Sequence, residues 1–172
     1  EIDAVVVTYF PKKIMWSNYP EAMRVAQMGR LIFNTVFVGV FSTLGTLVTT
    51  VAAAFAFARL KFVGREAIFS VFMATMMIPG ELMVITNYIT IIELDWIDTY
   101  QAMIVPFLVS VFYIYLLREN FRQIPNELYL AAKVDGTGDL KYLFKVLIPM
   151  SLPTITTITI LKLMGSWNSY IW

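Results

Sequence analysis

The chain has 172 residues, 59% of them hydrophobic and only 15% charged, with a formal net charge of +1, no Cys and no His. A mean hydropathy of +0.71, with the charges gathered in a few short stretches, excludes an ordinary soluble domain, whose surface carries more charge to face water. The near-neutral balance points to no nucleic acid, and the missing Cys and His exclude disulfides, thiolate or imidazole catalysis and the usual soft metal ligands, so no cofactor is expected.

Residues 1–15, EIDAVVVTYFPKKIM, open on acids and offer no small-residue cleavage site, so they do not read as a secretory leader. The first residue is Glu1 rather than Met, and a start farther upstream is expected. Four apolar runs follow. Leu31–Ala58 is interrupted only by Asn34 and hydroxyl residues, and its Ala-rich tail (Ala52, Ala53, Ala54, Ala56, Ala58) suits close helix packing in lipid. At ~1.5 Å per residue it spans a hydrocarbon core of ~30 Å with room to tilt. The second run, 67–92, is broken by Pro79-Gly80-Glu81; the third, 102–117, contains Pro106; the fourth, 146–164, has Pro149 and Pro153 near its start. The expected fold is an all-α, polytopic transmembrane helical bundle.

Charge sets a direction. Arg59, Lys61 and Arg65 lie between the first two runs, and Arg118, Arg122, Lys133, Lys141 and Lys145 between the last two. Glu93, Asp95 and Asp98 separate the second run from the third without a base. The positive-inside bias places the two basic links in the cytoplasm and the acidic one outside. Residues 1–30 then fall outside despite Lys12, Lys13, Arg24 and Arg30, as they would if an upstream helix set the topology.

The cytoplasmic segment 118–145 is the most informative. Pro125-Asn126-Glu127 is a helix start with Asn126 as its N-cap, Gly136 a helix stop, and Asp139 opens a second helix. Leu128, Ala131 and Ala132 are expected on one face of the first helix; Leu140, Leu143, Phe144 and Leu147 form an apolar stripe on the second. Two short amphipathic helices joined by Asp135-Gly136-Thr137-Gly138 suit either a partner's groove or the lipid headgroup layer.

This segment resembles the EAA loop of permeases of ABC-type importers. Ala131-Ala132, Asp135-Gly136 and Val146-Leu147-Ile148-Pro149 stand at that family's spacing. The resemblance covers most of residues 16–172 and is closest to the carbohydrate-uptake, maltose-permease-like branch. Trp16-Ser17-Asn18-Tyr19, Arg30 with Asn34-Thr35, Ala58-Arg59-Leu60-Lys61-Phe62, Met77-Ile78-Pro79-Gly80, Asp98-Thr99-Tyr100 and Trp167-Asn168 match its other landmarks in order. It implies a cytoplasmic two-helix coupling loop that meets an ATPase through Glu127, Leu130, Ala131, Ala132, Asp135 and Gly136. Leu130 replaces the Glu of the family triplet, so a charged contact is absent there, and Glu127 one turn earlier substitutes only in part. Family members usually have six helices, so the resemblance implies that this chain is a fragment of a six-helix permease.

Polar groups at membrane depth need a reason. Glu81 lines a translocation path, caps a half-helix or pairs with a neighbour. Lys162 either reaches the outer interface or touches substrate, and Asn87 and Tyr88 are ambiguous in the same way. Trp167-Asn168 offers an aromatic face and an amide to a sugar, or a Trp to the interfacial belt. No GxxxxGK[ST], HExxH or GxSxG pattern occurs, so an enzyme is not expected. The reading is a permease subunit of an ATP-driven sugar importer in the bacterial inner membrane, set in lipid. Its implied partners are a second permease subunit, two cytoplasmic ATPase subunits and an extracytoplasmic sugar-binding protein. The alternative is an ion- or proton-coupled secondary transporter, which should show internal repeats and paired carboxylates at mid-membrane.

Overall fold

The computed structural model describes residues 15–169, and every regular element among them is helical. The segment holding Lys12 and Lys13 lies outside the described residues. Two compact units are distinguished, Glu1–Thr35 and Val36–Trp172. In the first, α1 (Asn18–Val25) buries none of its residues, and the Trp16 and Tyr19 rings stack with centroids 6.0 Å apart. Gln27, in the left-handed region at φ 47°, separates α1 from the start of α2 (Met28–Arg59).

The second unit holds the rest of α2 and all later elements. α2 lacks Pro, and several of its hydroxyl residues turn inward: Ser42, Thr43, Thr46 and Thr50 are buried, and the Ser42 hydroxyl donates to Gly39 O at 3.4 Å. Back-bonding of this kind lets a hydroxyl enter an apolar helix with its donor used, whereas the Thr43 and Thr50 hydroxyls are buried without a hydrogen-bond partner. The second apolar run forms α3 (Arg65–Thr75), a 3₁₀ turn at Gly80–Met83 and α4 (Val84–Glu93), with an 84° bend between its halves. Pro79 has no N–H to continue α3, so the chain breaks there. The third run forms α5 (Tyr100–Ile104), whose N-cap Thr99 accepts from the Ala102 N–H, and a 3₁₀ turn at Val105–Phe107 around Pro106. It restarts as α6 (Val111–Gln123), capped by Ser110, after a 44° bend.

Beyond α6 lie α7 (Asn126–Val134) and α8 (Asp139–Tyr142), then a π turn at Leu143–Leu147, α9 (Ile148–Met150) and α10 (Leu152–Trp167). The π turn has a local cause. Pro149 cannot donate, and its ring crowds the carbonyl four residues back; the widened turn instead bonds the Ile148 N–H to Leu143 O. The expected stripe on the second helix is split. Leu143 and Leu147 are buried, but Leu140 and Phe144 stay 69% and 65% exposed, and Tyr142 takes their place, edge-on to Tyr129 at 5.0 Å. A 78° bend then separates Asp139–Met150 from α10.

Among the described residues, α2 alone is long and apolar enough to cross a membrane as one helix; each of the three bent pairs passes the same test if taken as one span. The main core gathers Ala54 and Phe55 of α2, Leu117 and Phe121 of α6, Ile124, Tyr142, Leu143, Leu147 and Ile158 of α10. A second cluster joins Phe57, Phe69 and Ile114. Helices in lipid lack water's driving force for association, so close approach and hydrogen bonds carry more of the cohesion. At Gly45 of α2 an added Cβ would collide with Leu108 Cδ2. Large apolar side chains such as Val48, Val71, Met77, Ile85 and Val109 remain mostly exposed, far beyond what a water-facing surface tolerates.

Candidate functional site

α7 begins beside Pro125 and presents two different faces. Tyr129 and Ala132 pack against the main core, while Leu128, Leu130, Ala131 and Val134 face outward, Leu130 at 55% and Val134 at 88% exposure. The expected single face of Leu128, Ala131 and Ala132 is therefore split. Ala132 brings α7 close to its own bundle, and Ala131 belongs to an exposed apolar ridge with Leu130. Glu127, Asp135 and Gly136 are exposed around this ridge. Asn126 is the first helical residue, not an N-cap: its Oδ1 accepts from Arg59 Nη1 at 3.3 Å.

The end of α7 is fixed by backbone chemistry. Gly136 sits at φ 71°, its N–H donates to Lys133 O at 3.0 Å, and the Thr137 N–H donates to Ala132 O at 2.8 Å. These are the two bonds of a Schellman cap, which needs a left-handed residue. α8 is held against α7 by side chains: Asp139 Oδ1 accepts from Tyr129 Oη at 2.7 Å and lies 2.7 Å from Lys133 Nζ. The hydrogen bond to Asp139, followed by its charge, holds the Lys133 ammonium above the ordinary lysine range against opposing desolvation. The same bond, with that from Tyr129, holds Asp139 below the ordinary carboxylate range. Both ions thus favour the docked α7–α8 arrangement.

Arg118, read in the sequence only as a topological charge, centres a second constellation drawn from α2, α3 and α6. Arg118 is 3% exposed. Its Nη2 lies 2.8 Å from Glu66 Oε2 and its Nη1 2.9 Å from Glu119 Oε1. Its Nε donates to Phe57 O at 3.3 Å, and the guanidinium lies 3.9 Å from the Phe69 ring centroid. A buried guanidinium is tolerated when its donors are used in this way. The signal in the sequence was Arg118-Glu119 following directly on an apolar run.

The break in the third run forms a third constellation. Phe107 O accepts from Thr46 Oγ1 at 2.9 Å and from Lys162 Nζ at 3.2 Å; Leu108 O accepts from Thr49 Oγ1 at 2.5 Å. A broken helix frees carbonyls, and two threonines and one lysine take them up. The spacing of Ser42, Thr46 and Thr49 along one face of an apolar run was the available signal. Lys162 thus directs its ammonium to the break in the third run. Thr46 lies ~20 Å along α2 from Arg59 at ~1.5 Å per residue, inside a core of ~30 Å. Among the described residues no carboxylate pairs with Lys162. Glu81 stands exposed on the turn after the 84° bend. Trp167 ends α10 at 61% exposure and Asn168 is its C-cap. α10 stays helical through Gly165-Ser166 to Trp167.

A family model described as "Binding-protein-dependent transport system inner membrane component" matches residues 45–172. The sn-glycerol-3-phosphate transport system permease protein UgpE of Rhizobium meliloti (strain 1021) is 32% identical over 162 residues, 90% of this chain and 57% of that protein. UgpE of Agrobacterium fabrum (strain C58 / ATCC 33970) is 30% identical over 173 residues, 96% and 61% respectively. The chain thus spans about three fifths of these curated relatives. A crystal structure of a bacterial ABC transporter involved in the import of the acidic polysaccharide alginate superposes with a TM-score of 0.74 at 31% identity, over 80% of this chain and 48% of that one. That family is a membrane transport component rather than an enzyme, and its matched residues include α7, the Schellman cap and the Lys162 break. The chain belongs to the family of inner membrane components of binding-protein-dependent transport systems.

Proposed function

We propose that the chain forms part of the membrane path of an ATP-driven importer of sugar-like solutes in a bacterial inner membrane, and that α7 is where an ATPase acts on it. The observation that carries this is the outward apolar ridge of Leu128, Leu130, Ala131 and Val134 on a helix whose other face is anchored to the bundle. A helix fixed on one side and bare on the other suits a partner's groove. Glu127, Asp135 and Gly136 frame the ridge, and Leu130 makes the contact apolar where the family triplet is acidic. The partners are a second permease subunit, two cytoplasmic ATPase subunits and an extracytoplasmic solute-binding protein. Family membership favours this over an ion-coupled transporter.

Glu81, Lys162, Trp167 and Asn168 are the proposed path residues. Lys162 bears most on the solute: an ammonium at membrane depth with no carboxylate partner among the described residues suits an acidic one. The named relatives carry a glycerol phosphate and an acidic polysaccharide. Trp167 and Asn168 supply a stacking face and an amide donor and acceptor. The test uses the natural absence of Cys. A cysteine at Ala131 should cross-link to the ATPase in the assembled transporter, and one at Ala132, packed inward, should not. Labelling of Ala131→Cys from the extracellular side would reject the reading.

A further inference from the structure

Arg59 closes α2, yet its side chain serves another part of the chain. Its Nη2 donates to Phe121 O at 2.7 Å and to Ile124 O at 2.6 Å, and its Nη1 donates to Asn126 Oδ1 at 3.3 Å. Phe121 and Ile124 lie where α6 runs out of helical donors, Ile124 being extended at φ −71°, ψ 128° and followed by Pro125, which has no N–H. One planar guanidinium thus spans the elbow between α6 and α7, filling three acceptors in a fixed fork that a lysine cannot reproduce. A cation at this end of α6 also meets the negative end of its dipole.

The tie is reciprocated. Arg118 of α6 donates to Phe57 O of α2, and Thr46 and Thr49 of α2 hold the carbonyls just before α6 begins. α2 and α6 are therefore fastened to each other at both ends of α6. By contrast, the chain bends by 84° within the second run and by 78° before α10. A push on α7 reaches the α2–α6 pair through the core packing of Tyr129 and Ala132 and through the covalent elbow at Ile124–Pro125, where Arg59 sits.

We propose that Arg59 is the positioning residue that locks this elbow, so that displacement of α7 moves α2 and α6 as one body instead of flexing the chain at Ile124–Pro125. The inference rests on the reading that α7 docks on an ATPase. The complete transporter tests it with spin labels placed in the cysteine-free chain. One pair, Ala52→Cys with Lys141→Cys, crosses the elbow; the other, Ala52→Cys with Tyr115→Cys, stays within α2 and α6. Mg-ATP is the probe. With Arg59 intact, both pairs keep a single narrow distance with and without Mg-ATP. Arg59→Gln is expected to lose the narrow distance across the elbow and make it nucleotide-dependent while sparing the α2–α6 pair, and Arg59→Lys to recover it only in part. An unchanged elbow distance in Arg59→Gln overturns the proposal. So does broadening of both pairs, which would make Arg59 a packing residue of the whole bundle. The Ala131→Cys cross-link to the ATPase is scored separately: its absence with a broadened elbow removes the ATPase from the account and leaves Arg59 as the elbow's clamp.

Discussion

Gly136 gives the sharpest test of how α7 is held, because Gly138 two residues on is its built-in control. An added Cβ meets nothing within 4 Å at either glycine, so sterics do not separate them. Backbone conformation does: Gly136 has φ 71° and Gly138 φ −69°. An L-residue in the left-handed region costs about 1–2 kcal/mol, offset in part by about 0.4–1 kcal/mol from the reduced freedom of the unfolded chain. Gly136→Ala should therefore destabilise the cap by about 1 kcal/mol, about fivefold in the population of uncapped α7. Gly138→Ala carries only the favourable part and should be neutral or mildly stabilising. Hydrogen exchange in the assembled transporter reads this at the Thr137 amide, which donates to Ala132 O. That amide should exchange faster in Gly136→Ala, recover in Gly136→Asn, and be unchanged or slower in Gly138→Ala. Equal exchange in the two alanine variants would refute the cap argument, and equal loss in both would show that the Asp135–Gly138 link matters for a reason other than φ.

Leu130→Ala should weaken stimulation of the ATPase through lost apolar contact, by about 1–3 kcal/mol of docking energy if the ridge is fully covered, read as an ATPase titration. Leu130→Glu should be worse unless the partner offers a base, and equal activity of both at every salt concentration would remove position 130 from the interface. Arg118→Met should lower the melting temperature of the transporter, losing about 1–3 kcal/mol from the Phe57 carbonyl bond and the Phe69 contact alone; Arg118→Lys should recover part of this, having no planar fork. Lys162→Met should reduce uptake of acidic solutes relative to neutral ones in a competition panel, whereas a purely structural lysine would lower assembly and leave the preference unchanged.

Some of this protein was fixed by its sequence because local chemistry decided it. Long apolar runs with clustered charges determine a helical membrane bundle, since a backbone in lipid must satisfy its own hydrogen bonds. Pro79 breaks the second run, and Gly136 takes a positive φ that few other residues accept. Family membership was likewise legible, in landmarks standing in order along the chain. What only the tertiary structure decided concerns where side chains meet across long separations. The stripe expected from helical spacing is split, with Leu143 and Leu147 buried and Leu140 and Phe144 exposed, because tertiary packing against Tyr129 and the main core selects the face that carries Tyr142. Asn126 looked like a cap and instead accepts from Arg59, 67 positions away. The spacing left Lys162 open to the interface or to substrate, and the structure adds that its ammonium bonds the Phe107 carbonyl at the break in the third run. Arg59 and Arg118 carried a topological signal as charges, but their roles depend on which carbonyls run out of helical partners nearby. That is a property of how α2 and α6 lie together, and sequence spacing does not encode it.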